Sequence, residues 1–374
     1  MTARYFGAKD FNQANAAAVQ SLILGGVISV ALLFFGITLD KPVLMGLGAT
    51  PEMMAPASAY FRIVFGGAFT LIFMFLSGYI LRGTGDAKTS MLIMMVATVS
   101  NIILDPLLIF GLWIFPRLEV SGAAYATVIG QGLAMFLGFW ILMRGHSRIH
   151  IRLADLHFNP SLMKRLILIA IPGTFQGGLR SVAQLALTRI VAIYGTLAIA
   201  AFGIGIRINL LVMMVGWAIG GAVSTLVGQN LGAMKPDRAE KSAWLGTAIF
   251  CVFMGCSGIC FFVFSEPLVR LFNDQGEVVR MGGAFIRIQT LSYPFLGLSM
   301  VCAMAFNGAG DSKTPALILG LTFVALMIPL ALILPHHITP GTSGIWWAMT
   351  IAVALQGLLM AFAFKRGRWK TRGM

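Results

Sequence analysis

The chain has little charge. Of its 374 residues, 11% are Asp, Glu, Lys or Arg and 58% are hydrophobic. A soluble domain carries roughly 25% charged residues. So few cannot cover the surface of a water-soluble chain this long, which excludes a soluble globular enzyme, a disordered chain and a secreted disulfide scaffold. What remains is a polytopic membrane protein. Acidic residues are the scarcest, 13 against 27 basic, for a net charge of +14. That excess does not call for nucleic acid, because Lys and Arg of membrane proteins collect in cytoplasmic loops. Cysteine is also scarce. Cys251, Cys256, Cys260 and Cys302 all lie in apolar runs, so they imply neither a disulfide framework nor a metal site and read as small buried hydrophobes. No HExxH, GxSxG or GxxxxGK[ST] pattern occurs, which argues against a membrane-embedded enzyme and against a phosphate-binding loop. The N-terminal MTARYFGAKD lacks the apolar segment of a signal peptide.

A helix needs about 20 mostly apolar residues to cross the hydrocarbon. Ten stretches qualify, near 15–38, 54–81, 89–114, 120–143, 166–194, 196–227, 242–264, 281–305, 314–335 and 343–364. The alternation of an outer-membrane barrel is absent. With the N-terminus placed in the cytoplasm, inside segments hold 18 Lys and Arg and outside segments hold 4. That bias puts both termini inside. Arg62, Arg180, Arg189, Arg207 and Arg287 fall within spans.

The sequence repeats at a constant offset of 225. Gly7-Ala8 matches Gly232-Ala233, Pro42 matches Pro267, Glu52 matches Glu277, and Arg62-Ile63 matches Arg287-Ile288. GTGDAKT from Gly83 matches GAGDSKT from Gly308. With a three-residue slip, Ser121-Gly122 matches Ser343-Gly344. The second unit holds six spans and the first four, so the arithmetic implies that roughly 65 residues, enough for two helices, are missing from the first. Units with even span counts share one orientation, an arrangement common in transporters whose substrate path runs between halves. The division expected is a first lobe over 1–150 and a second over 151–374. The polar stretch RGHSRIHIRLADLHFNPSL, 144–162, links them, and its His146, His150 and His157 read as solvated loop residues rather than metal ligands.

Asp105 lies deep in the apolar run SNIILDPLLIF. An intramembrane carboxylate is costly and marks a proton or ion path. Asn101 at i−4 shares its helix face, and Pro106 frees a backbone carbonyl one turn back. The rival reading is a structural ion pair. Position 330, the repeat counterpart of Asp105, is Leu330, so the acid belongs to one half only. Features in both halves are expected to be structural. These are Arg62 and Arg287, tying helix ends to neighbouring carbonyls, and the turns carried by Gly83, Gly85, Asp86, Gly308, Gly310 and Asp311, where Gly turns the chain and Asp caps the next helix. The second half has no acid within a span. Its polar intramembrane residues are Gln176, Arg180, Gln184, Arg189, Arg207, Asn209, Gln289 and Asn307. Arg180 and Arg207 could line a cavity, bind an anionic group, pair with Asp105, or snorkel. Pro172-Gly173 and Gly177-Gly178 interrupt the fifth span or pack closely against a neighbour. Trp346-Trp347 begin the last span, where interfacial anchoring is expected. The 22 Met and 28 Phe permit a polyspecific cavity.

RGTGDAKTSM, SNIILDPLLIFG and EVSGAAYATVIGQ together resemble the first half of multidrug and toxic compound extrusion (MATE) transporters. GQNLGAMKPDRAEKSAWLG and NGAGDSKTPALI resemble pieces of the second half. The resemblance covers nearly the whole chain. It implies an all-α polytopic fold of two parallel-repeat lobes, with twelve helices in the family and ten here. It implies export of drugs or cationic amphiphiles by proton or sodium antiport. The Asn101–Asp105 pair resembles the N-x-x-x-D of the DinF-like branch, part of a coupling network there, and the resemblance adds Thr127 and Gln131. The expected substrate-cavity residues are Gln176, Arg180, Arg207, Asn209 and Gln289. Two departures stand out: the first-helix aspartate of the family has no counterpart, and Gln176 and Gly177 stand where the NorM-like branch has an acid. The expected setting is a bacterial inner membrane, as a monomer, with small-molecule substrates, no cofactor or metal and no nucleic acid. Two other readings remain open: a flippase for lipid-linked oligosaccharide or cell-wall precursors, and a truncated, non-transporting form.

Overall fold

The computed structural model describes residues 1–144, 157–337 and 341–371. His146 and His150 lie outside the described residues. Among those described, all regular structure is helical. Among the described residues, nine helices are long and apolar enough to cross a membrane, ten when one bent pair counts as a single span. The chain divides into two compact units, Met1–Leu166 and Ile167–Met374.

Unit 1 begins with the short α1 (Thr2–Gly7) and the spanning α2 (Phe11–Thr38). A short α3 (Asp40–Gly46) follows, then α4 (Pro51–Gly66) and α5 (Ala68–Gly83), which together form one span, then α6 (Ala87–Phe110) and α7 (Glu119–Arg144). The core joins α2, α5, α6 and α7 through Ala14, Ala18, Leu22, Met74, Ile93, Ala134 and Leu142. Small residues dominate the α2 contribution, as expected where lipid supplies no hydrophobic drive and close backbone approach carries the packing. The start of α8 (Pro160–Ala192) is fastened here by buried Gln20. Its amide nitrogen donates to the His157 carbonyl at 2.5 Å, and its oxygen accepts from the Asn159 N–H at 3.2 Å. Asn159 then caps α8 by accepting from the Leu162 N–H.

Unit 2 continues with α9 (Thr196–Gly232), α10 (Pro236–Val263), the short α11 (Ser265–Arg270), α12 (Gly276–Thr290) and α13 (Tyr293–Gly308). The ninth span runs α14 (Lys313–Gly320), a π-helical stretch Leu321–Met327, and α15 (Ile328–His337). The last span is α16 (Thr342–Lys365). One core surrounds Phe202, Phe285 and Trp346; a second surrounds Phe250, Phe306, Phe364 and Trp369. Trp346 is therefore no interfacial anchor. It is fully buried, stacked on Phe202 with centroids 5.6 Å apart and edge-on to Phe285 at 4.8 Å. Trp347 is half-buried beside it. The basic tail packs against α10 and α16. Trp369 stacks on Phe364 at 4.5 Å and donates to its carbonyl, while Lys370 bridges Glu240 at 2.5 Å and Asp237 at 3.4 Å on α10.

The fifth span is unbroken: α8 runs continuously through Pro172, Gly173 and the Gly177-Gly178 pair. A Cβ at Gly173, Gly177 or Gly178 would meet nothing within 4 Å, so these glycines do not serve packing within the unit either. The break lies instead between α12 and α13, bent by 58°. Pro294 at the start of α13 has no N–H to continue the ladder. The hydroxyl and N–H of Ser292 both fold back onto the Gln289 carbonyl. The cysteines also differ from expectation. Cys302 is buried, Cys251 is half-buried, and Cys256 and Cys260 are exposed on their helix, a placement that suits a small hydrophobe facing lipid.

Both turns of the repeat are built as expected. Gly85 and Gly310 adopt φ of 94° and 83°, which a side chain would strain. Asp86 accepts from the Thr89 N–H at 3.0 Å and Asp311 from the Thr314 N–H at 3.2 Å. A Cβ on Gly308 would collide with the Ser224 backbone. Arg62 and Arg287 also play matching structural parts, but their partners are carboxylates rather than backbone carbonyls. Arg62 Nε meets Asp40 Oδ2 of α3 at 2.7 Å, and Arg287 meets Glu266 of α11 at 3.0 Å. Each pins a short helix to the following span.

Asp40 is buried and also accepts from the Ser58 hydroxyl. The Ser58 bond, then Arg62, hold its carboxyl down at about 2, against an ordinary value near ~3.9. A depressed pKa stabilises the fold above the unfolded value, and that contribution is lost as pH falls through the folded one. Asp40→Asn is therefore expected to melt below wild type at neutral pH, with the gap closing between about 4 and 2. Thermal melts in detergent across that range check it. A gap that is constant with pH would deny the pair its role.

Candidate functional site

In unit 1 the sequence-predicted polar residues converge where α6 meets α7. Glycines let the helices approach. A Cβ at Gly130 would stand 2.9 Å from the Ala97 carbonyl oxygen and 3.3 Å from the Asn101 backbone nitrogen; at Gly122 it would stand 2.5 Å from the Leu108 oxygen. Thr127, one turn before Gln131 on α7, thereby faces Asn101. The Thr127 hydroxyl donates to the Ala123 carbonyl at 2.9 Å, leaving its lone pair to accept from Asn101 Nδ2 at 3.3 Å. The same amide nitrogen donates to Asp105 Oδ1 at 3.2 Å.

Both amide hydrogens of Asn101 are thus used. Among the described residues, the Asn101 side-chain oxygen and Asp105 Oδ2 have no hydrogen-bond donor. Pro106 lies within α6 and leaves the Ile102 carbonyl without its helical donor. The cluster presents acceptors and no spare donor. Chemically it can take a proton, a metal cation or an ammonium group, and it offers nothing to an anion. Asn101, Thr127 and Asp105 are half-buried, so the acceptors are both shielded and reachable.

Gln131 is not joined to this chain of bonds. Its Oε1 accepts at 3.2 Å from the hydroxyl of Thr70, which also donates to the Gly67 carbonyl. Thr70 is buried on α5 and ties it to α7. It was absent from the sequence-predicted set, although a lone hydroxyl in GGAFTLIF was a readable signal.

Unit 2 contains a cavity of about 230 Å³. Arg180, Gln184, Asn209, Gln289, Tyr293 and Gln356 are among its polar lining residues, and Met213, Met300, Phe323, Met327 and Met349 among the apolar ones. Its walls include both irregular places of the unit, the bend beside Ser292 and the π-helical stretch. π-Helical turns occur frequently at functional sites. The Tyr293 hydroxyl donates to Asn209 Oδ1 at 2.5 Å. Gln289 Oε1 accepts weakly from Ser292 and Thr350, each at 3.4 Å.

Three of the expected cavity residues, Arg180, Asn209 and Gln289, line this space; Gln176 and Arg207 do not. Gln176 is buried and donates at 3.0 Å to the Ser312 carbonyl in the second repeat turn. Arg207 is exposed on α9, turned away from the cavity-lining face. Tyr293 and Gln356 were missed. Nothing in a sequence pattern marks a Tyr beside a helix break, whereas Gln356 in IAVALQGLLM was a polar residue in an apolar run, the same signal as Asp105.

Two helical units, an acceptor cluster within one and a largely apolar cavity with a few polar groups within the other, fit a multi-pass membrane transporter. The comparisons agree. The MatE family model matches residues 1–107 and 172–333, and the chain belongs to the MATE family. It is 30% identical over 376 residues to the probable multidrug resistance protein YoeA of Bacillus subtilis, covering 98% of this chain and 80% of that protein. It is 28% identical over 363 residues to the FAD transporter of Shewanella oneidensis, covering 97% and 80%. A solved MOP superfamily transporter from Pyrococcus furiosus superposes with a TM-score of 0.92 at 22% identity, covering all of this chain and 83% of that one. Its kin are transporters, not enzymes.

Proposed function

We propose that the chain exports drug-like cationic or amphiphilic molecules in exchange for protons, with Asp105 as the coupling group. The observation that carries this is the acceptor-only cluster at Asp105 Oδ2 and Asn101 Oδ1, shielded within a helix pair. Ionised Asp105 attracts a cationic substrate when the protein is open to the cytoplasm. On the outer side it takes a proton, which removes the charge that held the substrate. Coupling requires that proton and substrate compete or favour different arrangements of the protein. Asn101 holds the carboxylate in place and Thr127 holds Asn101; Gln131 and Thr70 brace α7 behind them. The Bacillus subtilis relative, named for multidrug resistance, supports drugs as cargo. The relative named as a transporter of FAD makes FAD the second cargo to test. The proposal sets the protein in a bacterial inner membrane as a monomer, termini inside.

The test is transport by the purified chain in proteoliposomes. A pH gradient alone is expected to drive accumulation of a cationic dye, and a sodium gradient alone is not. Accumulation driven only by sodium would reassign the same acceptors to a metal cation. Accumulation under neither gradient would defeat the reading. A pyrophosphate-binding flippase requires Arg180 and Arg207 in one cavity of unit 2, and the cavity includes only the first.

A further inference from the structure

We propose that the cavity within unit 2 is a subsite for an anionic group, a carboxylate or phosphate borne on an apolar body, with Arg180 as its counter-charge. The polarity of its lining is opposite to that of the Asp105 cluster. No Asp or Glu lines it. Among the described residues, none hydrogen-bonds or ion-pairs with the side chains of Arg180, Gln184 or Gln356. Gln356 is 3% exposed and Gln289 4%, and both line the cavity. The Gln289 oxygen is already engaged, which leaves its N–H groups over.

A partly buried cation within a membrane span is costly unless something neutralises it. Among the described residues, unit 2 supplies no counter-ion to Arg180. It supplies instead a guanidinium fork, whose geometry matches a carboxylate or phosphate bidentately, and three amides able to turn their N–H groups toward the same oxygens. Tyr293 cannot assist as a donor while its hydroxyl is given to Asn209. The walls also include Leu187, Leu210, Met300, Phe323, Met327 and Val353, which suit a hydrocarbon body; methionine there adapts to its shape. At about 230 Å³ the space is smaller than the roughly 300 Å³ at which drug-sized pockets begin. It holds one headgroup and a short chain. The ligand can come from the bilayer, as a lipid headgroup, or from solution, as an anionic amphiphile. The inference stands apart from the antiport reading, since it concerns equilibrium binding in the other unit.

The test is binding to the purified full chain in nanodiscs, by calorimetric titration with hexyl phosphate, hexanoate, hexylammonium and hexanol. The two anions are expected to saturate one site; the ammonium and the alcohol are not. Arg180→Gln should weaken hexyl phosphate roughly tenfold or more, as loss of a charge-assisted fork implies, and Arg180→Lys should fall between. Gln356→Leu is the second variant, with a smaller loss. Melting temperatures confirm that each variant is folded. Discs of phosphatidylcholine are compared with discs half phosphatidylglycerol. Weaker hexyl phosphate binding in the anionic discs, absent in Arg180→Gln, supports a lipid headgroup as occupant; equal binding in both supports a solute. The proposal is overturned if hexylammonium binds as well as hexanoate, if no probe binds in either disc, or if folded Arg180→Gln and Gln356→Leu both bind hexyl phosphate like wild type. Proton coupling is read by transport and anion capture by equilibrium binding, so either can fail alone.

Discussion

Asp105→Asn is expected to reduce substrate-driven proton movement to the level of empty vesicles while leaving the protein folded. The substitution replaces one carboxylate oxygen by an amide nitrogen of nearly the same size. The remaining oxygen can still accept from Asn101 Nδ2, now 3.2 Å from Asp105 Oδ1, so the α6–α7 seam keeps its bond. What disappears is the negative charge and the capacity to pick up and lose a proton. A ligand shifts a two-state equilibrium only through its differential affinity for the states; without a titrating group, proton and substrate have nothing to compete for. Charge selectivity provides the sharper signature. Wild type should bind a cationic dye more tightly than a neutral one of the same size, and Asp105→Asn should lose that preference. Asn101→Leu should give an intermediate result, since the acid remains but loses its positioning donor. If Asp105→Asn retains coupled exchange, the coupling group lies elsewhere and the acceptor cluster is structural.

The fold was legible where one physical rule governed a whole segment. Nonpolar length alone located every span to within a turn or two of helix, because a bilayer demands about 20 apolar residues and tolerates little else. The turns of the repeat were legible because Gly and Asp at fixed spacing have few other uses. Asp105, Asn101 and Thr127 were brought into one bonded chain as the helical spacing and the resemblance implied. Whatever depended on a neighbour distant in sequence was not legible. Trp346 had the sequence position of an interfacial residue, yet Phe202 and Phe285 enclose it. Arg62 needed an acceptor, and only the folded α3 shows that Asp40 provides it. The glycines of α8 suggested a break that a helix accommodates without strain, and the actual bend arose from Pro294, one proline in a run otherwise typical of a span. Arg180 and Arg207 were alike in sequence; helix geometry placed one on the cavity and the other away from it.

The second large effect is expected from adding a single methyl group at Gly122. Three glycines of α7 grade the consequence. At Gly132 a new Cβ would meet only Thr70 Cγ2 at 3.7 Å, an ordinary contact. Gly→Ala inside a helix gains up to about 1 kcal/mol of propensity, so Gly132→Ala should be neutral or slightly stabilising. At Gly130 the Cβ would stand 2.9 Å from the Ala97 oxygen, and at Gly122 it would stand 2.5 and 2.6 Å from the Leu108 oxygen and carbon. Backbone atoms cannot swing aside as a side-chain tip can. The Leu108 carbonyl is also held by the Leu118 N–H at 3.0 Å, which fixes the tight connection between α6 and α7. Overpacking of this kind costs about 1–3 kcal/mol or more, which exceeds the propensity gain. Gly122→Ala should therefore lower the melting temperature most, Gly130→Ala less, and Gly132→Ala not at all. Function should follow a different order. Asn101 and Thr127 are 3.3 Å apart, near the limit of a hydrogen bond, and Gly130 packs at the level of Asn101. A displacement of a few tenths of an ångström there breaks the bond that aims Asn101 at Asp105, so Gly130→Ala should lose more coupling than its melting temperature suggests. Melting and proton-coupled transport measured on the same three variants separate the two effects. Equal melting temperatures for all three would mean that α7 is free to shift and that the close approach does not set the site.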